Sequence, residues 1–261
     1  MYISANHINV KLNQDCSDYL ITDDFKSLIL CDGIGEFRNS SKFSEAVCEI
    51  MIESAYTDIN ELLYNDKIIK LKESKIAGGT TVLFANTTNN TDLTIEYLGN
   101  GGCIQLSGSF AKNQNNLAPY RYNNLINPHI SFNGSLTRHL SHNSNNIEHK
   151  RGKLILTLNN INGDILIFFT DGINSLEENI IINDNEGRYW RNESISLQFI
   201  IEKLNDFLIT EKESQDFQES LQKFNINILE ELKIQEMLED DAAIAIVITE
   251  DVLKYYQEQN D

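Results

Sequence analysis

Short apolar runs that stop at aspartate, glycine or asparagine alternate with longer stretches whose apolar residues recur at helical spacing. Residues 27–31, Ser-Leu-Ile-Leu-Cys, are the first clear run and predict a strand that runs into Asp32-Gly33. Residues 41–63 carry Phe43, Val47, Ile50, Met51 and Ile59 close to helical spacing, with Ser40 or Ser41 available as a cap, and predict a helix. After Gly78-Gly79, residues 80–85 and 93–98 predict two strands joined by a polar Asn/Thr turn. Gly99-Asn-Gly-Gly102 predicts a tight turn, and 103–106 a further strand. Residues 154–158 and 165–170 predict strong strands joined by an Asn/Gly turn, the second running into Asp171-Gly172. Helices are predicted at 196–208 and 214–232, then a last strand at 243–248 behind Asp240-Asp241, then a short closing helix.

Strands that arrive in hairpin pairs argue for antiparallel sheets with helices packed outside, rather than a doubly wound parallel sheet. Between about 111 and 150 the periodicity fails. This stretch is rich in asparagine and holds both prolines, Pro119 and Pro128. It predicts an irregular surface excursion within one domain, because the strand pattern resumes after it. The sequence shows no internal repeat, no P-loop and no dinucleotide fingerprint.

Composition narrows the function classes. The chain has 261 residues, 41% of them hydrophobic, ample for a buried core. The formal net charge of −18 disfavours nucleic acid and anionic membrane surfaces as partners, and attracts cations; it also serves plain solubility. Cys16, Cys31, Cys48 and Cys103 form no C-x-x-C pair and suggest neither a disulfide framework nor a zinc site. The N-terminal residues do not read as a signal peptide, and no apolar run is long enough to span a membrane. The expected location is the cytoplasm.

Three aspartates share one context: Asp32 and Asp171 each follow an apolar strand, and Asp240 stands just before one. A sheet rim that presents all three would gather carboxylate oxygens suited to magnesium or manganese. Gly33 and Gly172 suit sharp turns and close backbone approach directly after two of them. Asp-Gly is equally an ordinary turn signal, and Asp240-Asp241 equally a solvated strand entry.

Taken in order, the motifs resemble a known family. Asn13-Gln14-Asp15, Asp32-Gly33-Ile34-Gly35, Gly79-Thr80-Thr81, Gly134 to Leu140, Gly163-Asp164 through Asp171-Gly172, and Asp240-Asp241 before an apolar strand are similar to the motif series of the type 2C (PPM-type) metal-dependent serine/threonine protein phosphatases, in a bacterial-like form. The resemblance covers about residues 7–249. It implies an α+β fold, a four-layer αββα sandwich of two antiparallel sheets flanked by helices on both outer faces, in a single domain over 1–261. It implies two divalent cations, Mn2+ or Mg2+, with Asp32 bridging both, Asp171 and Asp240 completing the first, the Gly33 carbonyl on the second, and Asp15 orienting water. A water activated between two such cations attacks phosphorus directly, without a phosphoenzyme. The implied substrate is a phosphorylated protein, a Ser/Thr kinase or its target.

The sequence departs from the family at several positions. Lys11 stands near the place of the usual phosphate-binding arginine and is read either as a phosphate ligand or as a solvent-exposed lysine. Gly99-Asn100-Gly101-Gly102 replaces a G-D-S-R motif and is read as structural. From Ser107 to Ser131 there is no aspartate, so this segment offers no side chain for a third metal, and Ile34 replaces the histidine of the animal members. Arg138 and His139 receive no role. The 111–150 excursion is read either as a flap shaping substrate choice or as a plain insertion. Beside phosphoprotein hydrolysis stand two alternatives: a catalytically dead member that binds phosphoproteins as a regulator, and a hydrolase of small phosphate esters.

Overall fold

Apolar residues on both faces of its central strands lead the chain to bury two sheets against each other and against helices. The computed structural model describes residues 1–55, 58–73, 78–107, 121–144, 150–161, 163–174, 177–184 and 187–258. Strands β1 (Tyr2–Ile8), β2 (Asp15–Ile21) and β3 (Lys26–Asp32) lead into helix α1 (Ser40–Glu53), a 3-10 turn (Ile59–Tyr64) and α2 (Asp66–Glu73). Strands β4 (Gly79–Thr80), β5 (Val82–Thr87), β6 (Asp92–Leu98), β7 (Gly102–Ser107), β8 (Arg121–Asn124), β9 (Leu140–Ser141), β10 (Gly152–Thr157) and β11 (Asp164–Phe169) follow. After a 3-10 turn (Asp171–Asn174) come the hairpin β12 (Glu177–Asp184) and β13 (Gly187–Ser194), helices α3 (Ile195–Glu211) and α4 (Phe217–Ile234), strand β14 (Ala242–Ile248) and helix α5 (Glu250–Glu258).

One five-stranded sheet has the order β1-β14-β11-β7-β8 and the other β10-β6-β5-β3-β2, with antiparallel neighbours throughout. Three apolar cores separate four layers. Strand β14 shows how a continuous apolar run serves two of them. Ala243, Ala245 and Val247 face the other sheet and share a core with its Leu28 and Leu30 and with Phe168 of β11. Ile244, Ile246 and Ile248 face outward onto helix residues such as Ile200 and Leu204 of α3, Leu229 of α4 and Val252 of α5. Strand β3 splits the same way: Ile29 and Cys31 face Phe43, Val47 and Met51 of α1. The expected α+β sandwich, with helices on both outer faces, is the fold observed. Each fully buried Leu or Ile in these cores contributes roughly 1.5–3 kcal/mol of transfer free energy. No helix among the described residues is long and apolar enough to cross a membrane.

Several local expectations need correction. Strands β1 and β2 are not predicted, because Ser4, Asn6 and His7, and Asp15, Ser17 and Asp18, interrupt the apolar pattern. The predicted helix over 41–63 stops at Glu53, and Ala55 has a φ of 45°. A tertiary anchor then restarts the chain. The Ile59 N–H donates to the buried Glu96 carboxylate at 2.9 Å, which Arg151 and Lys153 pair at 3.1 and 2.6 Å. Neither serine caps α1. Asn39 is its N-cap residue, and Ser40 Oγ donates to the Ile34 and Phe37 carbonyls instead.

Strands β10 and β11 are not a hairpin. They lie in different sheets, so the Asn/Gly connection crosses the sandwich. The hairpin β12–β13 is not predicted at all. Of the 111–150 excursion, residues 111–120 and 145–149 lie outside the described residues. The described part holds β8, paired with β7, and β9, paired with β4, joined by a largely irregular path.

Candidate metal centre

The site starts from the pairing of β2 with β3. The Gly33 N–H donates to the Gln14 carbonyl at 3.0 Å, and Asp15 stands directly opposite Asp32 one step further along. That step is a non-hydrogen-bonded pair, the position where facing side chains come closest, about 4.5 Å between Cα atoms. Two carboxylates thus share one face at one end of a sheet. Asp15 is 4% exposed. The other sheet supplies the third: Thr170, just past β11, donates its hydroxyl to Asp15 Oδ2 at 2.6 Å, and Asp171 follows it. Asp32 makes hydrogen-bonding contact with both Asp15 and Asp171.

Glycine makes the last approach feasible. A Cβ on Gly172 would stand 1.9 Å from the Asp241 carbonyl oxygen, so only glycine lets the turn after β11 lie against the entry to β14. The backbone seals this contact: Thr170 N–H donates to the Ala243 carbonyl at 3.0 Å, and Ala243 N–H donates to Thr170 Oγ1 at 2.8 Å. Asp240 therefore stands close enough for its charge to act on Asp171. It is exposed and accepts the Asp241 N–H at 2.9 Å.

Electrostatics expresses the crowding. Burial first, then the charges of Asp15 and Asp171, push the Asp32 acid up to about 10. Burial pushes Asp15 up to about 7, against the pull of the Thr170 hydrogen bond. Burial raises Asp171 too, with Asp240 adding to it, against hydrogen bonds from Asp32, Asn100 and the Gly172 amide. Acids raised in this way favour protons when nothing else neutralises them. A divalent cation would take the protons' place, and an all-oxygen donor set suits magnesium or manganese. Among the described residues, no group of three or more His, Cys, Asp or Glu stands as an open ligand cage. The carboxylates instead turn onto each other, Thr170 and Asn100. The residues fit such cations by donor chemistry and by clustering, and their oxygens must turn outward to receive them.

The fold thus gathers Asp15, Asp32 and Asp171, with Asp240 at their edge. Gly33 follows Asp32 and packs so closely on Ser40 that a Cβ would meet its backbone at 2.9 Å. Lys11 is not drawn into the cluster: its side chain is exposed, and its backbone N–H donates to Asp241. Arg138 donates to the Lys150 carbonyl at 2.9 Å. His139 packs near Phe37, and burial followed by the Lys150 charge lowers its pKa.

Three participants are not marked in the sequence. Thr170 reads there only as the end of a strand. Asp241 reads only as the partner of Asp240. Asn100 reads as part of a structural turn, yet its side-chain amide donates to Asp171 Oδ2. The placement of the Gly99–Gly102 turn beside Asp171 is the missing information, and register alone supplies it: Gly102 pairs with Phe169. All four cysteines are free, and Cys31, Cys48 and Cys103 are buried in the cores.

No protein-family model matches this chain, and no curated protein matches it in sequence. Solved structures do. The serine/threonine phosphatase Stp1 from Staphylococcus aureus is similar with a TM-score of 0.61 at 13% identity, over 95% of this chain and 95% of that one. The PPM Ser-Thr phosphatase MsPP from Mycobacterium smegmatis, in complex with cacodylate, gives 0.55 at 13% identity over 94% and 97%. RsbX in complex with magnesium gives 0.53 at 15% identity over 95% and 96%.

Proposed function

We propose that this chain, which has the fold of the PPM-type Ser/Thr phosphatases, is itself a metal-dependent phosphatase that removes phosphate from phosphoserine and phosphothreonine in proteins, as a single domain over residues 1–261. The observation that carries the reading is the convergence of Asp15, Asp32 and Asp171 from the facing ends of two sheets. Nothing in the packing of the cores calls for three carboxylates in one place, one of them buried and two half-buried, and such an arrangement is costly without cations.

Two divalent cations, Mn2+ or Mg2+, would supply a nucleophile at neutral pH and offset charge on the phosphoryl oxygens. The residues have distinct parts. Asp32, touching both Asp15 and Asp171, is central and would bind both cations; Asp171 and Asp240 would hold one, and the Gly33 carbonyl the other. Asp15 is deepest, its Oδ2 accepting from Thr170, and would orient water and hold a proton. Asn100 keeps the Asp171 carboxylate in one orientation, as a partner behind a ligand does. Lys11, exposed on the neighbouring loop, would meet the phosphate as a point charge.

The regulatory alternative, a phosphoprotein-binding member without turnover, is favoured by one observation: among the described residues the carboxylates form no open ligand cage. Hydrolysis of p-nitrophenyl phosphate in manganese, in magnesium and with chelator separates the two. Metal-dependent turnover that disappears in Asp171→Ala supports the phosphatase. Folded wild-type protein without turnover in either ion refutes it.

A further inference from the structure

The 10–14 loop is tied to the site by one carboxylate. Asp241 Oδ1 accepts the backbone N–H groups of Val10 at 2.6 Å and Lys11 at 2.7 Å. Its Oδ2 accepts those of Leu12 at 3.1 Å and Gln14 at 2.9 Å. Asn13, the residue skipped, has a φ of 55°, a left-handed conformation that asparagine tolerates and that turns the amides on either side toward one acceptor. Both oxygens of Asp241 are thus engaged, although it adjoins a proposed cation ligand, Asp240.

The loop's far end is fixed as well. The Gln14 carbonyl accepts from Gly33 N–H at 3.0 Å and from Ser44 Oγ at 2.6 Å, and Gln14 Nε2 donates to Ser40 Oγ at 3.1 Å. The segment between β1 and β2 is therefore stretched between the Asp240 side of the cluster and the Asp32 side. Lys11 stands in the middle of it. Its backbone is held and its side chain is exposed, which is how a residue is presented to a ligand rather than to the core.

We propose that Asp241 is a positioning residue that acts through Lys11: the carboxylate sets the loop so that the Lys11 ammonium receives the phosphate of the substrate, and Asp241 itself binds no cation. This rests on the phosphatase reading for its substrate, but the loop's response to phosphate is separable from turnover. Acceptance of four amides by one carboxylate requires both oxygens. Asp241→Asn keeps one oxygen and puts an NH2 group where two N–H donors point, so half of the loop's anchorage is lost while volume is preserved.

The test measures inorganic phosphate binding by calorimetry in manganese, and kcat and KM for p-nitrophenyl phosphate, in wild type, Lys11→Ala, Asp241→Asn and the double variant. Each single variant is expected to weaken phosphate binding and raise KM by about tenfold, with kcat changed little. The double variant is expected to lose no more than the worse single one, because both act on one contact. Amide hydrogen exchange at residues 10, 11, 12 and 14 should rise in Asp241→Asn and stay low in Lys11→Ala.

Additive losses, unchanged phosphate affinity in Lys11→Ala, or weakened manganese binding in Asp241→Asn would overturn the proposal. So would wild-type protein that binds no phosphate. If Asp241→Asn does not fold, Lys11→Arg decides. It leaves the loop's amides in place and should tighten phosphate through its bidentate fork; unchanged affinity overturns the assignment. Phosphate binding with the expected pattern but no turnover would sink the phosphatase reading and leave this one standing.

Discussion

Replacing Asp32 with asparagine should stabilise the metal-free protein while destroying its capacity for cations. Asp32 is pressed by burial and by the charges of Asp15 and Asp171, and its acid rises from an ordinary 3.8 to about 10. At neutral pH the folded chain therefore holds a proton there that the unfolded chain has released. Each pH unit between the unfolded value and the working pH costs about 1.4 kcal/mol, or about 4 kcal/mol at pH 7. The sign follows from proton counting: the folded state binds more protons, so stability falls as pH rises, starting near the unfolded pKa and continuing until the folded pKa is passed. Asp15, raised from 3.8 to about 7, adds a second loss over that lower window. Asparagine has nearly the same shape and needs no proton. Allowing for the amide's poorer hydrogen bonding, Asp32→Asn should gain about 2–4 kcal/mol at pH 7. Urea unfolding in chelator, from about pH 5 to pH 8, measures this, and the variant's stability should fall less steeply by one proton. A variant less stable than wild type, or an unchanged slope, would refute the reasoning, because the carboxylates would then not be crowding each other.

Two further substitutions probe the supports of the cluster. Thr170→Val removes the donor to Asp15 and the acceptor of the Ala243 N–H in a side chain 2% exposed; we expect a loss of about 2–4 kcal/mol in urea unfolding. It should also raise the Asp15 pKa, readable by carboxyl NMR titration, since the bond it deletes favours the ionised acid. Gly172→Ala would drive a methyl into the Asp241 carbonyl, 1.9 Å from the ideal Cβ, and should lower stability by about 3 kcal/mol or more together with manganese affinity. An alanine variant with wild-type melting and binding would show that the Asp171 turn does not depend on this contact.

The sequence makes the frame legible where one physical rule acts alone. Apolar runs such as 165–170 and 243–248 have to be central strands, since both their faces are covered. Strands with a polar face are hidden: β1 carries Ser4, which is buried yet hydrogen-bonded by Asn225 of α4, a contact between residues 221 positions apart. The break in the 41–63 helix is equally invisible, because the group that anchors Ile59 is Glu96 of another strand. The candidate site follows the same division. Asp32, Asp171 and Asp240 are marked by their strand ends and by the ordered motifs, and Asp15 by its motif alone. Asn100, Thr170 and Asp241 gain their meaning from which strand lies beside which, and a single sequence does not state that.

The most direct test of the metal centre is a calorimetric titration of manganese into the metal-free protein near neutral pH, repeated in buffers with different heats of ionisation. If the raised acids of Asp32 and Asp171 are cation ligands, with the raised acid of Asp15 beside them, manganese binds wild type and ejects protons, so that the observed heat depends on the buffer, and both the binding and the proton release are lost or sharply reduced in Asp32→Asn. Folded wild-type protein that takes up no manganese, or an Asp32→Asn variant that binds it as tightly as wild type, would contradict the account.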